Sequence, residues 1–262
     1  MKFACLLIVA ACSACAADVN EIVRRSVAGI NADWNAAPAY DFTERDIVTR
    51  SGRRTVRTYR VTMIDGTPYN RLIAISGEPL PPAQAAVQER KLHQEISRRR
   101  KETPSARRAR VAAYEKERRQ DHALFREMVK AFDFKLAGEE NVDGRRCFVL
   151  QASPKPGYRP SSRDTEVLTG MRGKMWVDAG QYQWVKVHAE VFRPVRFGLF
   201  IARVKPGTQF TLEQQPLKGN LWLPSHFSMN LNARVLLWSR RSSDDETYSD
   251  YRPAAADSRA AR

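Results

Sequence analysis

From Tyr40 onward, apolar and polar side chains alternate with a period of two, and the alternation returns in stretch after stretch as far as Arg240. A period of two places successive side chains on opposite faces of a strand. Thr55 to Ile64 is rich in β-branched and aromatic residues, with Ser51-Gly52-Arg53 before it and Asp65-Gly66-Thr67-Pro68 after it reading as tight turns, and Tyr69 to Ser76 follows as the next strand. Strands joined by turns this short pair antiparallel. Phe132 to Ala137, Cys147 to Ala152, Lys174 to Asp178, Gln183 to Phe192, Val195 to Val204, Gln209 to Gln215, Leu221 to Asn230 and Ala233 to Arg240 continue the series. Thr247 to Arg252 reads as a short edge strand, and Asp244-Asp245-Glu246 before it as a solvated turn.

Two segments depart from this period. Val19 to Trp34 carries Val19, Ile22, Val23, Val27 and Ile30 at three- and four-residue spacing, the stripe of a helix with one buried side. Ala83 to Ala131 is poor in β-branched residues and breaks once, at Thr103-Pro104-Ser105, which predicts two helices. The whole pattern specifies an α+β fold, mainly β: a large curved antiparallel sheet or incomplete β-barrel, with an N-terminal helix and a helical insertion acting as a lid. We expect one domain over 18–252, with the insertion at 83–131 and a disordered tail at 253–262.

The first 17 residues stand apart. Lys2, the apolar run from Phe3 to Ala11 and the small residues up to Ala17 form a secretory signal, too short to span a bilayer as a helix. Two exits are legible: cleavage after Ala16, or cleavage before Cys12, where Val9-Ala10-Ala11-Cys12 resembles the bacterial lipobox and would leave Cys12 lipidated. The lipobox is the favoured reading, and it predicts a periplasmic protein tethered to the outer membrane. Cleavage after Ala16 leaves Cys147 alone, and cleavage before Cys12 leaves Cys15 in a tether as its one free companion, so on either exit a disulfide-built fold is excluded.

Export changes the meaning of charge. Lys and Arg number 44 against 29 Asp and Glu, a net of +15, which inside a cell would suggest nucleic acid. An exported chain meets anionic headgroups and acidic polymers instead, so no nucleic-acid partner is expected. Glu89 to Arg119 holds 12 Lys/Arg against five Glu. Arg98, Arg99, Arg100, Lys101, Arg107, Arg108 and Arg110 are therefore candidates for contact with an anionic membrane surface, with a solvated helical pair as the plainer alternative.

Chemistry is sparse. His93, His122, His188 and His226 lack metal-ligand spacing, and no Gly-x-Ser-x-Gly, His-Glu-x-x-His or phosphate-cradling glycine loop occurs. We expect no catalytic residues, no metal and no cofactor.

The hairpin Gly173-Lys174-Met175-Trp176-Val177-Asp178-Ala179-Gly180-Gln181-Tyr182-Gln183-Trp184-Val185-Lys186-Val187 resembles a segment of the LolA/LolB-like lipoprotein-carrier superfamily, and the order of elements is similar too. The resemblance implies an incomplete barrel whose cavity carries acyl chains of lipids or lipoproteins across the periplasm, under a helical lid. The insertion is more charged than such a lid requires, and no ligand-contact residue is carried over from the family. The residues themselves suggest Trp176, Trp184, Phe200, Phe210, Trp222, Phe227 and Trp238 as core or as cavity lining. In the return strand Val185, Val187, Ala189 and Val191 are expected on one face, opposite Trp184, Lys186, His188 and Glu190. The expected function is a non-enzymatic carrier of acyl chains. The alternative is an envelope module that binds an anionic partner through the insertion.

Overall fold

The computed structural model describes residues 18–163, 165–197, 202–235 and 238–255. The signal, Cys12 and Phe200 lie outside them. Helix α1, Val19–Ala36, is capped by Asp18, whose carboxylate accepts from the Asn20 amide, and it buries Ile22, Val23 and Ile30. Strands β1 (Tyr40–Arg50), β2 (Arg53–Ile64), β3 (Thr67–Ile75) and the two-residue β4 (Glu78–Pro79) follow. Ser51-Gly52, Asp65-Gly66 and Ser76-Gly77 join them with positive φ at both residues, the hairpin turn whose twist matches that of the strands.

Helix α2, Pro82–Arg100, and helix α3, Pro104–Ala131, meet at Thr103, which caps α3 by accepting from the Ala106 amide. The chain then runs through β5 (Phe132–Val142), β6 (Arg145–Pro154), β7 (Met171–Asp178), β8 (Trp184–Val191), β9 (Val195–Phe197), β10 (Ala202–Val204), β11 (Gln209–Pro216), β12 (Trp222–Val235) and β13 (Trp238–Pro253). None of the described helices is long and apolar enough to cross a membrane.

One antiparallel sheet of 13 strands results, in the order β4-β3-β2-β1-β13-β12-β11-β8-β7-β6-β5, with β10 paired to β12 and β9 paired to β10. Its edges, β4 and β5, do not pair, so the barrel stays incomplete. Helices α2 and α3 connect those edges in sequence, and α3 touches both β3 and β5. Where a closed barrel would have a last ladder of hydrogen bonds, this fold has a helix.

The face of the sheet that α1 covers is the inner face. Its main core joins Ile22, Val23 and Ile30 to Phe148, Leu150, Met175, Val177, Trp184 and Val187, with Phe125 and Met128 of α3 against it. Gly173 is required here: a Cβ on it would lie 2.4 Å from the His188 carbonyl oxygen.

Three expectations are corrected. The acidic run Asp244-Asp245-Glu246 is no turn but the middle of β13, paired with Val48, Ile47 and Asp46 of β1. Residues 247–252 accordingly belong to a central strand and not to an edge, because β13 is flanked on both sides by β1 and β12. In β8 a register shift against β7 lets Trp184 join the inner core beside Val187, while Val185 packs with Cys147 and Trp222 in a separate cluster. An extra residue in one strand inverts the alternation beyond it, which strict alternation could not anticipate.

Candidate functional site

One row of paired residues crosses the inner face: Leu136, Leu150, Met175, Val187, Leu212, Phe227, Glu246, Asp46, Arg57 and Ile75. The row passes from aliphatic to aromatic, then to carboxyl, then to guanidinium. A parallel row runs Ala189, Phe210, Met229, Asp244, Val48, Thr55. The inner face is therefore graded, apolar on β5 to β12 and polar on β13 to β2.

The apolar half is filled. Beneath α3, a cavity lined by Met128, Phe132, Phe134, Leu168, Met171 and Phe210 has a volume of about 20 Å³, room for about one water molecule. An acyl chain cannot lie there. The graded half is different: the helices approach β3, β5, β8 and β12, and none comes as close to β13 or β1. Phe42, Val48, Tyr59, Phe227, Met229, Tyr248 and Tyr251 are only half-buried. Asp46, Val48, Arg50, Arg53, Thr55, Arg57 and Tyr59 line an open groove of about 570 Å³.

The carboxyl groups in this half are unusual. Burial first, then the charge of Asp46, raises the Glu44 pKa to about 8. Burial also raises Asp46 and Glu246, each against a favourable hydrogen bond, from Glu44 and from Tyr248 respectively. The hydroxyl of Tyr248 donates to Glu246, and Tyr251 donates to the Pro224 carbonyl at 2.8 Å. Burial pushes both phenols upward. At neutral pH Glu44 is thus protonated, and this part of the face carries less negative charge than its composition implies.

The residues singled out in the sequence fall in several places. Trp184 is core, 2% exposed and 5.9 Å from the Phe125 ring. Trp222 is fully buried, donating to Gln181 at 2.9 Å. Trp176 turns outward and donates to Glu140 at 2.7 Å. Of the two readings given for these aromatics, Trp184 and Trp222 take the first and pack the core, while Trp176 packs against the Cys147 cluster. Phe210 borders the filled cavity, and Phe227 sits at the centre of the graded row. Trp238 begins β13, its side chain outside the described residues, as is all of Phe200.

The basic insertion is corrected in part. Arg99 is buried, giving hydrogen bonds to the Ile64, Thr67 and Pro68 carbonyls and to Glu95. Arg110 holds Glu102, the Asp65 carbonyl and the Thr67 hydroxyl, and Arg107 lies 3.2 Å from Asp65. Arg98 pairs with Glu95 and Glu102. Arg99, Arg107 and Arg110 pin the two helices to the β2–β3 turn, whereas Arg98 is exposed and pairs only along α2 and just past its end. Arg100, Lys101 and Arg108 stay exposed. The sequence reading missed the Glu44, Asp46 and Glu246 carboxyls and the Arg50, Arg53 and Arg57 groove. The signal for the carboxyls was present in the alternation Phe42, Glu44, Asp46, Val48, an acidic face inside a strand.

No family model and no curated protein matches the chain. Among solved structures, a DUF1329 family protein from Desulfovibrio piger is 13% identical, with a TM-score of 0.35 over 91% of this chain and 94% of that one. A LolA superfamily protein from Nitrosomonas europaea is 10% identical, TM-score 0.33, over 90% and 93%. A domain named for outer-membrane lipoprotein sorting, from Vibrio parahaemolyticus, is 11% identical, TM-score 0.35, over 89% and 94%. Each of these likenesses extends over most of the chain at low identity.

Proposed function

We propose that this protein is a non-enzymatic carrier of an amphiphile in the bacterial cell envelope, a lipid or the acylated end of a lipoprotein. The graded row across the inner face carries the reading. Phe227, Met229, Val48 and Phe42 offer apolar area to an acyl chain, which gains about 25 cal/mol for each Å² removed from water. Arg50, Arg53 and Arg57 stand at one end of that strip, where an anionic headgroup would rest. Protonated Glu44 keeps the intervening stretch from repelling it. The ligand lies against β12, β13, β1 and β2, outside the filled core beneath α1.

Organic extraction of the purified protein followed by mass spectrometry should recover a bound lipid, and a fluorescent fatty acid should compete with it. Replacing Phe227 and Met229 by Asp should weaken the probe at least about tenfold, since two apolar contacts become buried charges. A protein that is empty on extraction and indifferent to acyl probes would overturn the proposal.

A further inference from the structure

One end of the sheet carries charge that no carboxylate among the described residues neutralises. The cross-strand row Glu190, Gln209, Asn230, Ser243, Thr49 and Arg54 lies on the outer face and marks this end. Short of it, several outer-face groups are paired: Lys186 with Glu213 at 2.8 Å, His226 with Asp245 at 3.0 Å, Arg172 with Glu190 at 2.7 Å, while Lys135 and Lys174 stand singly. Beyond it the pattern stops. Arg203 of β10 is in register with Arg196 of β9 on one side and Arg234 of β12 on the other, and Arg241 stands opposite Asn232 one ladder away.

Neighbouring strands are about 4.8 Å apart, and like charges directly opposite each other destabilise a sheet. Arg203, Arg234 and Arg241 are exposed, and none has a carboxylate partner among the described residues. Apolar surface accompanies the charge. Phe192, just past β8 at the same end, is 39% exposed, with the Arg172 and Arg193 guanidiniums 5.6 and 5.7 Å from its ring.

We propose that this end of the sheet docks on a bilayer bearing anionic phospholipid headgroups. Phosphates would take the place of the missing carboxylates between Arg203, Arg234 and Arg241, and Phe192 would enter the interfacial layer, where aromatic rings beside cations are favoured. A purely polar polyanion would leave the exposed ring without a partner. The proposal concerns a surface separate from the ligand strip, so it stands or falls independently of the carrier reading.

The test is vesicle co-sedimentation of the full-length protein with Cys12→Ala, so that no acyl anchor contributes. Vesicles of phosphatidylcholine with about 30% phosphatidylglycerol should bind it, pure phosphatidylcholine should not, and added salt should release it. R203Q/R234Q/R241Q should lower the partition about 100-fold, from about fivefold for each arginine near an anionic surface, with an unchanged thermal melt. Phe192→Ser should lower what binding remains in high salt. Equal binding to both vesicle types, full binding by the triple variant, or loss of binding on Arg100→Gln/Arg108→Gln instead would each overturn the proposal.

Discussion

Glu44 is held protonated by its surroundings, and that choice has a direction in pH. Its pKa rises from 4.5 in the unfolded chain to about 8 in the fold, so between those values the folded protein holds a proton that the unfolded chain has released. Stability from this site is complete below about pH 4.5 and falls as pH rises through 8. Asp46 and Glu246, both raised, act with the same sign. Arg57, whose charge favours ionised Asp46, opposes them, and Asp244 reinforces them. A thermal melt should therefore decline from pH 5 to pH 9, and Glu44→Gln should flatten the decline; an identical slope in the variant would show that the charge resides elsewhere. The alternation that sends Phe42, Glu44, Asp46 and Val48 to one face was legible in the sequence. Their depth was not, since burial there depends on β13, some two hundred positions further along the chain.

At the scale of elements, the insertion divides what local pattern can and cannot reveal. Its break at Thr103-Pro104 and its helical character were plain from composition and capping chemistry. The direction of its arginines was not, because a guanidinium reads alike whether it meets solvent or a turn's carbonyls. Arg99 shows the difference: its head lies within hydrogen-bond distance of three backbone oxygens in and beside the β2–β3 turn. Arg99→Met leaves those oxygens and Glu95 without their donor and should cost about 3 kcal/mol in urea unfolding, whereas exposed Arg100→Ala should change stability by less than about 0.5 kcal/mol. Equal effects would mean that α2 is held by its apolar contacts alone. The β7–β8 hairpin makes a similar point, since a single bulge decides that Trp184 and not Val185 reaches the core.

The molecule as a whole is an incomplete barrel whose two sheet edges are bridged by a helical hairpin. Meander strands and short turns made the sheet predictable; the pairing of β1 with β13 was not, because no turn joins them and only the finished topology brings them together. The same topology accounts for the graded face, since the seam places the acidic middle of β13 against β1 and the arginines of β2 beyond it.

That seam also governs when the molecule can come into being. Tyr40 pairs with Pro253 and Arg50 with Ser242, so β1 waits for β13, made some two hundred residues later. Until then β1 offers an open edge to any other strand it meets, an aggregation hazard during folding. Contacts of such sequence separation also make folding slow. Ending the chain after Arg241 should leave a protein that fails to melt cooperatively and is readily cleaved by added protease, while removal of residues 256–262 should leave the melt unchanged. Protection of the β1 edge thus depends on β13, the strand farthest from it in sequence among those described.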